Sequence, residues 1–190
     1  VKQARIVPHI WPREHEFGDL MESCCSDLVQ IAVGKGDYEC VFFAGSGTAG
    51  MEAMVSSIVP PGGKVLIVNN GAYGGRMVKI AKAHEIDHEE LFFDWNEQVD
   101  PEKVDKTLLQ GGFTTLIMIH HETTTGILNP VEKIGEIAKT HNVVFGVDAI
   151  SSFAGIPFDV HDLQADFIIS TSNKCIQGMA GIVFVIVKKD

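Results

Sequence analysis

Strand-length apolar runs alternate with segments of helical period along most of this chain, and that alternation narrows what it can fold into. Residues 64–68, 116–120, 143–147 and 167–170 are close to continuous in apolar side chains, where a strand with one wet face would alternate apolar with polar. Such strands are buried on both sides, as in a parallel sheet covered by helices on both faces. Between them, residues 51–59, 74–84, 101–110 and 131–140 have helical character; the second places Met77, Ile80, Ala81 and His84 on one face. Pro60-Pro61-Gly62-Gly63 ends the first of these, while Pro101 opens the third and Gly111-Gly112 closes it. Residues 40–44, 90–93 and 182–187 read as three more strands. The connection from Ser170 to Ile182 is too short for a crossover helix, so the last strand is expected to run antiparallel. The expectation is an α/β fold: a three-layer α/β/α sandwich around a predominantly parallel, seven-stranded mixed sheet. Residues 1–22 read as an extended arm leading into a helix near 19–33.

At 190 residues the chain fits one domain with a substantial core. Its longest apolar run, residues 181–187, is far short of the roughly 20 residues a membrane-spanning helix needs. Residues 1–8 carry no secretory signal. The chain begins with Val, which reads as an internal start, so that observation says little. The net charge of −10 disfavours nucleic acid, whose binding depends on neutralising phosphates. Anionic small molecules stay open, because a pocket's local field can oppose the global one. Only three arginines occur, Arg5, Arg13 and Arg76. Cys24, Cys25, Cys40 and Cys175 show neither a CxxC pair nor a zinc spacing, and they read as reduced thiols of a cytoplasmic protein.

In sheets of this kind ligands bind beyond the carboxyl ends of the strands. Gly45-Ser46-Gly47-Thr48-Ala49-Gly50 sits there and fits G-x-G-x-x-G. Three readings are open: a site for a terminal phosphate, a dinucleotide site, or a structural turn. The dinucleotide reading wants an acid after the second strand, where Asn69-Asn70 stands; Ser46 and Thr48 at a helix start suit a phosphate monoester. Asp148, directly after an apolar run, is costly to desolvate unless it meets a cation or donors, such as a protonated pyridine nitrogen. It could equally cap the next segment. Lys174 follows Ser170-Thr171-Ser172-Asn173 and precedes a glycine-containing stretch. A lysine in such a tight loop can lose solvation and act as an amine nucleophile, with Ser170 or Ser172 donating to a phosphate. His120-His121-Glu122 has metal-ligand residue types, but neighbours on a strand point to opposite sides, so no metal ligand is assigned. Cys175 reads as a small buried residue.

Several segments together resemble the class-V branch of the fold-type-I pyridoxal-phosphate (PLP) aminotransferases. They are Gly45–Thr48, Asn70-Gly71-Ala72-Tyr73-Gly74, His121-Glu122-Thr123-Thr124-Thr125-Gly126, residues 147–153 and Asn173-Lys174-Cys175-Ile176-Gln177-Gly178. The resemblance implies that Lys174 bonds the cofactor aldehyde and later carries the proton, and that Asp148 pairs with the ring nitrogen. It further implies that Ser46, Gly47 and Thr48 hold the phosphate, Tyr73 stacks on the ring, Thr123 meets the phenolic oxygen, Ile150 packs on the other face and Asn173 reaches the phosphate region. Tyr73 as a packing anchor and residues 123–125 as a hydroxyl ladder are the plainer alternatives. The HETTTGILNP and NKCIQG stretches imply amino transfer from 2-aminoethylphosphonate to pyruvate. Alanine–glyoxylate or serine–pyruvate exchange, an NAD-binding oxidoreductase domain and a catalytically silent fragment are the alternatives. The resemblance also implies that residues 1–190 are the cofactor-binding large domain, that the family's small C-terminal domain is missing, and that the full-length protein is a homodimer. None of the three arginines matches the position from which the family binds a substrate carboxylate.

Overall fold

The computed structural model describes residues 9–33 and 37–189. Its strands are β1 (Tyr38–Ala44), β2 (Val65–Asn69), β3 (His88–Phe92), β4 (Thr115–Ile119), β5 (His121–Glu122), β6 (Ile127–Leu128), β7 (Val144–Asp148), β8 (Phe167–Thr171) and β9 (Ile182–Lys188). Its helices are α1 (His15–Val33), α2 (Gly47–Ile58), α3 (Ala72–Ala83), α4 (Pro101–Leu108), α5 (Val131–Thr140) and α6 (Val160–Leu163). Seven strands form one sheet in the order β1-β9-β8-β7-β4-β2-β3, and β5 pairs with β6 in a separate hairpin. β2, β3, β4, β7 and β8 are mutually parallel, and β9 is antiparallel to both β8 and β1.

The layers follow from the two-residue period of a strand. Val65, Ile67, Ile117, Ile119 and Ile169 pack with Met51, Met54, Val55 and Ile58 of α2 and Met77, Val78 and Ala81 of α3. The intervening Leu66, Val68, Leu116, Met118 and Ile168 join Phe145 and Val147 on the other side, against Val104 and Leu108 of α4, Ile134 and Ala138 of α5, and Val160 and Leu163 of α6. Each central strand therefore serves two cores, which is why it reads as unbroken apolar sequence.

The helix ends follow the local signals. Asp100 caps α4 by accepting from the Glu102 N–H at 2.9 Å, with Pro101 behind it, and Gly62 adopts φ +75° in the turn after α2. Two elements went unread: the hairpin, two residues per strand, and the single turn of α6. α1 begins at His15, so residues 15–22 are helical rather than part of an arm; residues 1–8 of that arm lie outside the described residues. Among the described residues no helix is long and apolar enough to cross a membrane.

Gly135 on α5 lies so close to α6 that a Cβ there would overlap the Leu163 carbonyl oxygen. Gly135→Ala must push the two helices apart and is expected to lower stability by about 1–3 kcal/mol, read as a fall in the urea midpoint at unchanged m-value.

Candidate active site

The carboxyl ends of β1, β4, β7 and β8 open onto one cavity of about 290 Å³. The nine residues to which the resemblance gives a role all line it: Ser46, Gly47, Thr48, Tyr73, Thr123, Asp148, Ile150, Asn173 and Lys174. Because β9 is the reversed strand, the start of β9 lies at this same end; Gly45 N–H donates to the Gly181 carbonyl at 2.9 Å, tying the glycine loop to the segment after Lys174.

The glycine loop hands over to α2 at Ser46, the N-cap, whose hydroxyl makes no capping bond. That hydroxyl and the first N–H groups of α2 form a cluster of donors at the positive end of a twelve-residue helix. Gly50 brings α2 against β9, where a Cβ would stand 2.7 Å from Val183 Cγ1. Beside the loop, with its methyl 3.6 Å from where a Cβ on Gly47 would stand, Thr171 is 2 % exposed and its Oγ1 has no partner. A buried hydroxyl without a bond is uncommon, and this one belongs to a cavity-lining residue. Ser170 and Ser172, the expected donors, do not line the cavity; Ser170 donates to the Ala149 carbonyl at 3.4 Å, and Ser172 to the Met179 carbonyl. The alternation of β8 explains the exchange, since Thr171 points opposite to its neighbours.

Asp148 closes β7 in the middle of the sheet and is 4 % exposed. Burial raises its pKa to about 7; the 2.8 Å bond from the Ile150 N–H and the charges of Arg76 and Lys174 oppose the rise, and Glu122 adds to it. The capping reading is thus partly right, but one backbone donor does not replace the lost hydration. Lys174 and Asp148 line the same cavity, yet the lysine is exposed. The expected desolvation of Lys174 is not found, because its loop projects beyond the sheet. Cys175 is likewise exposed, contrary to the buried residue expected.

Glu122, from the hairpin, is fully buried and meets no cation among the described residues. Its Oε2 accepts from the Tyr73 and Gly74 N–H groups at 3.2 and 3.3 Å, and its Oε1 from the Thr124 N–H and hydroxyl at 3.3 and 2.6 Å. It caps α3, whose own N-cap, Gly71, has no side chain to do so; a Cβ on Gly71 would overlap the Glu122 carboxyl. This one carboxylate ties Tyr73 to the loop bearing Thr123. Thr125 bonds locally, Thr124 bonds Glu122 and also accepts from the Ala72 N–H at 3.3 Å, and Thr123 lines the cavity, so only part of the hydroxyl-ladder alternative holds. Asn70 and Asn129 pair at 2.8 Å beneath, and Asn129 donates to the Ile119 carbonyl at 2.9 Å. Ser151 Oγ donates to the His121 carbonyl at 2.8 Å, so its 2.9 Å contact with His121 Nδ1 has the imidazole as donor. His120 faces Phe158 edge-on, His121 faces Ser151 and Glu122 faces α3, so the three diverge. No group of three metal-ligating side chains gathers among the described residues.

The sequence reading missed Thr171, Arg76, His121 and Ser151 as lining residues, and Glu122 as a cap. Thr171 could have been found from the strand period; Glu122 acts across 49 residues and left no local signal.

A donor-rich loop, a strand-end carboxylate and a loop amine around one cavity define a domain built to hold a phosphorylated aldehyde cofactor. Residues 7–190 match the family model described as Aminotransferase class-V, and the chain belongs to this PLP-dependent family. It is 46% identical over 181 residues to a 2-aminoethylphosphonate–pyruvate transaminase of Phocaeicola vulgatus, covering 94% of this chain and 50% of that protein. In structure it is similar to alanine–glyoxylate aminotransferase from Nostoc sp. (TM-score 0.90, 27% identity, 99% of this chain and 49% of that one). It is also similar to pyridoxamine–pyruvate aminotransferase from Mesorhizobium loti (TM-score 0.85, 29% identity, 93% and 45%). The chain spans about half the length of the curated relative from P. vulgatus.

Two consequences follow for the protein without cofactor. Unfolded Asp148 ionises near pH 4, whereas the folded protein keeps its proton to about pH 7. Between these values the native state holds the extra proton, so stability falls as pH rises and stays lower above pH 7. Asp148→Asn is expected to stabilise the fold at pH 8 by roughly 4 kcal/mol at most, read as a higher melting temperature, with the gain vanishing near pH 4 in a pH series of thermal melts. Glu122→Gln leaves one oxygen for four donors and turns an NH2 toward the rest; a loss of about 1–3 kcal/mol should show in equilibrium denaturation.

Proposed function

We propose that the full-length protein is a PLP-dependent transaminase that moves the amino group of 2-aminoethylphosphonate to pyruvate, giving phosphonoacetaldehyde and L-alanine. The observation that carries this reading is the placing of Lys174 and Asp148 on one cavity with the glycine loop; the substrate pair comes from the name of the P. vulgatus relative. The residues fit the cofactor: the unpartnered hydroxyl of Thr171 and the uncommitted hydroxyl of Ser46 suit a phosphate, and buried Asp148 suits a cationic ring nitrogen. Bound PLP supplies an aldehyde for amine attack and a protonated ring that takes up electron density.

In this reading the Lys174 Nζ is the amine that would meet the cofactor aldehyde, and the same nitrogen would hold and move a proton at the substrate carbon. Asp148 holds the ring proton in place, and the positive charge it meets removes the penalty of its burial. Ser46, Gly47, Thr48 and Thr171 hold the phosphate, with Asn173 at its edge. Tyr73 and Ile150 flank the ring, and Thr123 meets its phenolic oxygen. Residues 1–190 are the cofactor-binding large domain in this proposal, and the intact protein is a homodimer with the substrate-carboxylate contacts outside these residues. Four unbridged cysteines accord with a cytoplasmic setting. The likeness to alanine–glyoxylate aminotransferase keeps that exchange as the second reading. An NAD site finds no support, because Asn69 and Asn70 at the end of β2 are buried and engaged with Glu90 and Asn129.

Borohydride reduction of the full-length protein with PLP should leave a cofactor adduct on the peptide containing Lys174, and Lys174→Ala should lose both adduct and transamination. An adduct on another lysine, or none in the wild type, overturns the assignment. Faster turnover with alanine and glyoxylate than with 2-aminoethylphosphonate and pyruvate favours the second reading.

A further inference from the structure

Arg76 has no assigned role, yet it reaches the phosphate end of the cavity. It lies on the first turns of α3, and its Nη1 donates to Thr48 Oγ1 at 2.9 Å. Its guanidinium carbon stands 4.9 Å from the centre of the Tyr73 ring, one turn earlier on the same helix face. No carboxylate pairs with it among the described residues. The other two arginines are elsewhere: Arg13 is exposed ahead of α1, and Arg5 lies outside the described residues.

A hydroxyl that accepts from a guanidinium has its single proton free for another acceptor. Thr48 is the second residue of α2, among the free N–H groups of its first turn, so that proton is available to an oxyanion there. A planar guanidinium with unused N–H groups is itself suited to phosphate, and the aromatic face beneath fixes its plane. We infer that Arg76 belongs to the cofactor-phosphate subsite: it orients the Thr48 hydroxyl as a donor and supplies the subsite's positive charge, braced by Tyr73. The inference rests on the PLP reading above. It assigns the charge to an arginine that the sequence left unmatched, on a chain whose net charge of −10 otherwise repels a dianion.

The test compares PLP with pyridoxal, which lacks the phosphate, on full-length apoprotein, following the visible absorbance of the lysine-bound aldehyde. Arg76→Ala is expected to weaken PLP by about ten- to hundredfold, the worth of a charge-assisted bond, and to leave pyridoxal unchanged. Inorganic phosphate should compete with PLP in the wild type and lose that ability in the variant. Arg76→Lys, which keeps the charge but not the planar fork, should fall between. Equal weakening of PLP and pyridoxal would mean that Arg76 only supports the Tyr73 ring, and overturns the inference, as does an unchanged PLP affinity. If the wild type binds pyridoxal and PLP equally, the phosphate subsite falls while Lys174 stands. If it binds neither, the cofactor reading falls and takes this inference with it. Thermal melts of each variant check that the fold is intact.

Discussion

A carboxylate held out of water at the end of the middle strand sets the terms for this structure. Asp148 is placed by β7, which has β4 on one side and β8 on the other, so it cannot move toward solvent without disturbing the sheet. In isolation that is a destabilising arrangement, and its raised pKa expresses it. The same arrangement becomes favourable once a cation of fixed position faces the carboxyl. The penalty is thus preorganisation: affinity for a cation facing this carboxyl is stored in the folded protein before any ligand arrives.

Around this acid the site is assembled from segments far apart in sequence, and neutral donors hold them in register. Glu122 and Asn129 reach from the two sides of the β5–β6 hairpin to α3 and to the ends of β2 and β4. Ser151 joins the hairpin to the turn after Asp148. These contacts are buried or part-buried and satisfy one another, so they define one geometry where apolar packing alone would tolerate several.

The fold was legible because the two-sided burial of parallel strands leaves unbroken apolar runs, and because Pro101 and Gly111-Gly112 mark helix ends in the local sequence. The short Ser170–Ile182 connection even gave the reversal of β9. The site was legible through spacing: glycine loop, strand-end Asp148 and loop lysine all fall at carboxyl ends. What sequence could not carry was exposure and long-range capping. Lys174 and Cys175 were expected out of water because small residues and strands surround them in sequence, yet their loop overhangs the sheet. Arg76 was set aside because no local pattern shows that a helix brings it onto Thr48.

The reversed strand has an implication for synthesis. β1 sits at the edge of the sheet, where its strand neighbour is β9 and Tyr38 lies opposite Lys188. While the ribosome is still adding the residues in between, β1 and the loop that follows it have no neighbour to zip against. The five parallel strands can join in chain order, but the corner formed by the glycine loop waits for residues 182–188 to slot between β8 and β1. A nascent chain stalled before that point would carry an unpaired apolar edge, the kind of surface that chaperones recognise and aggregates exploit.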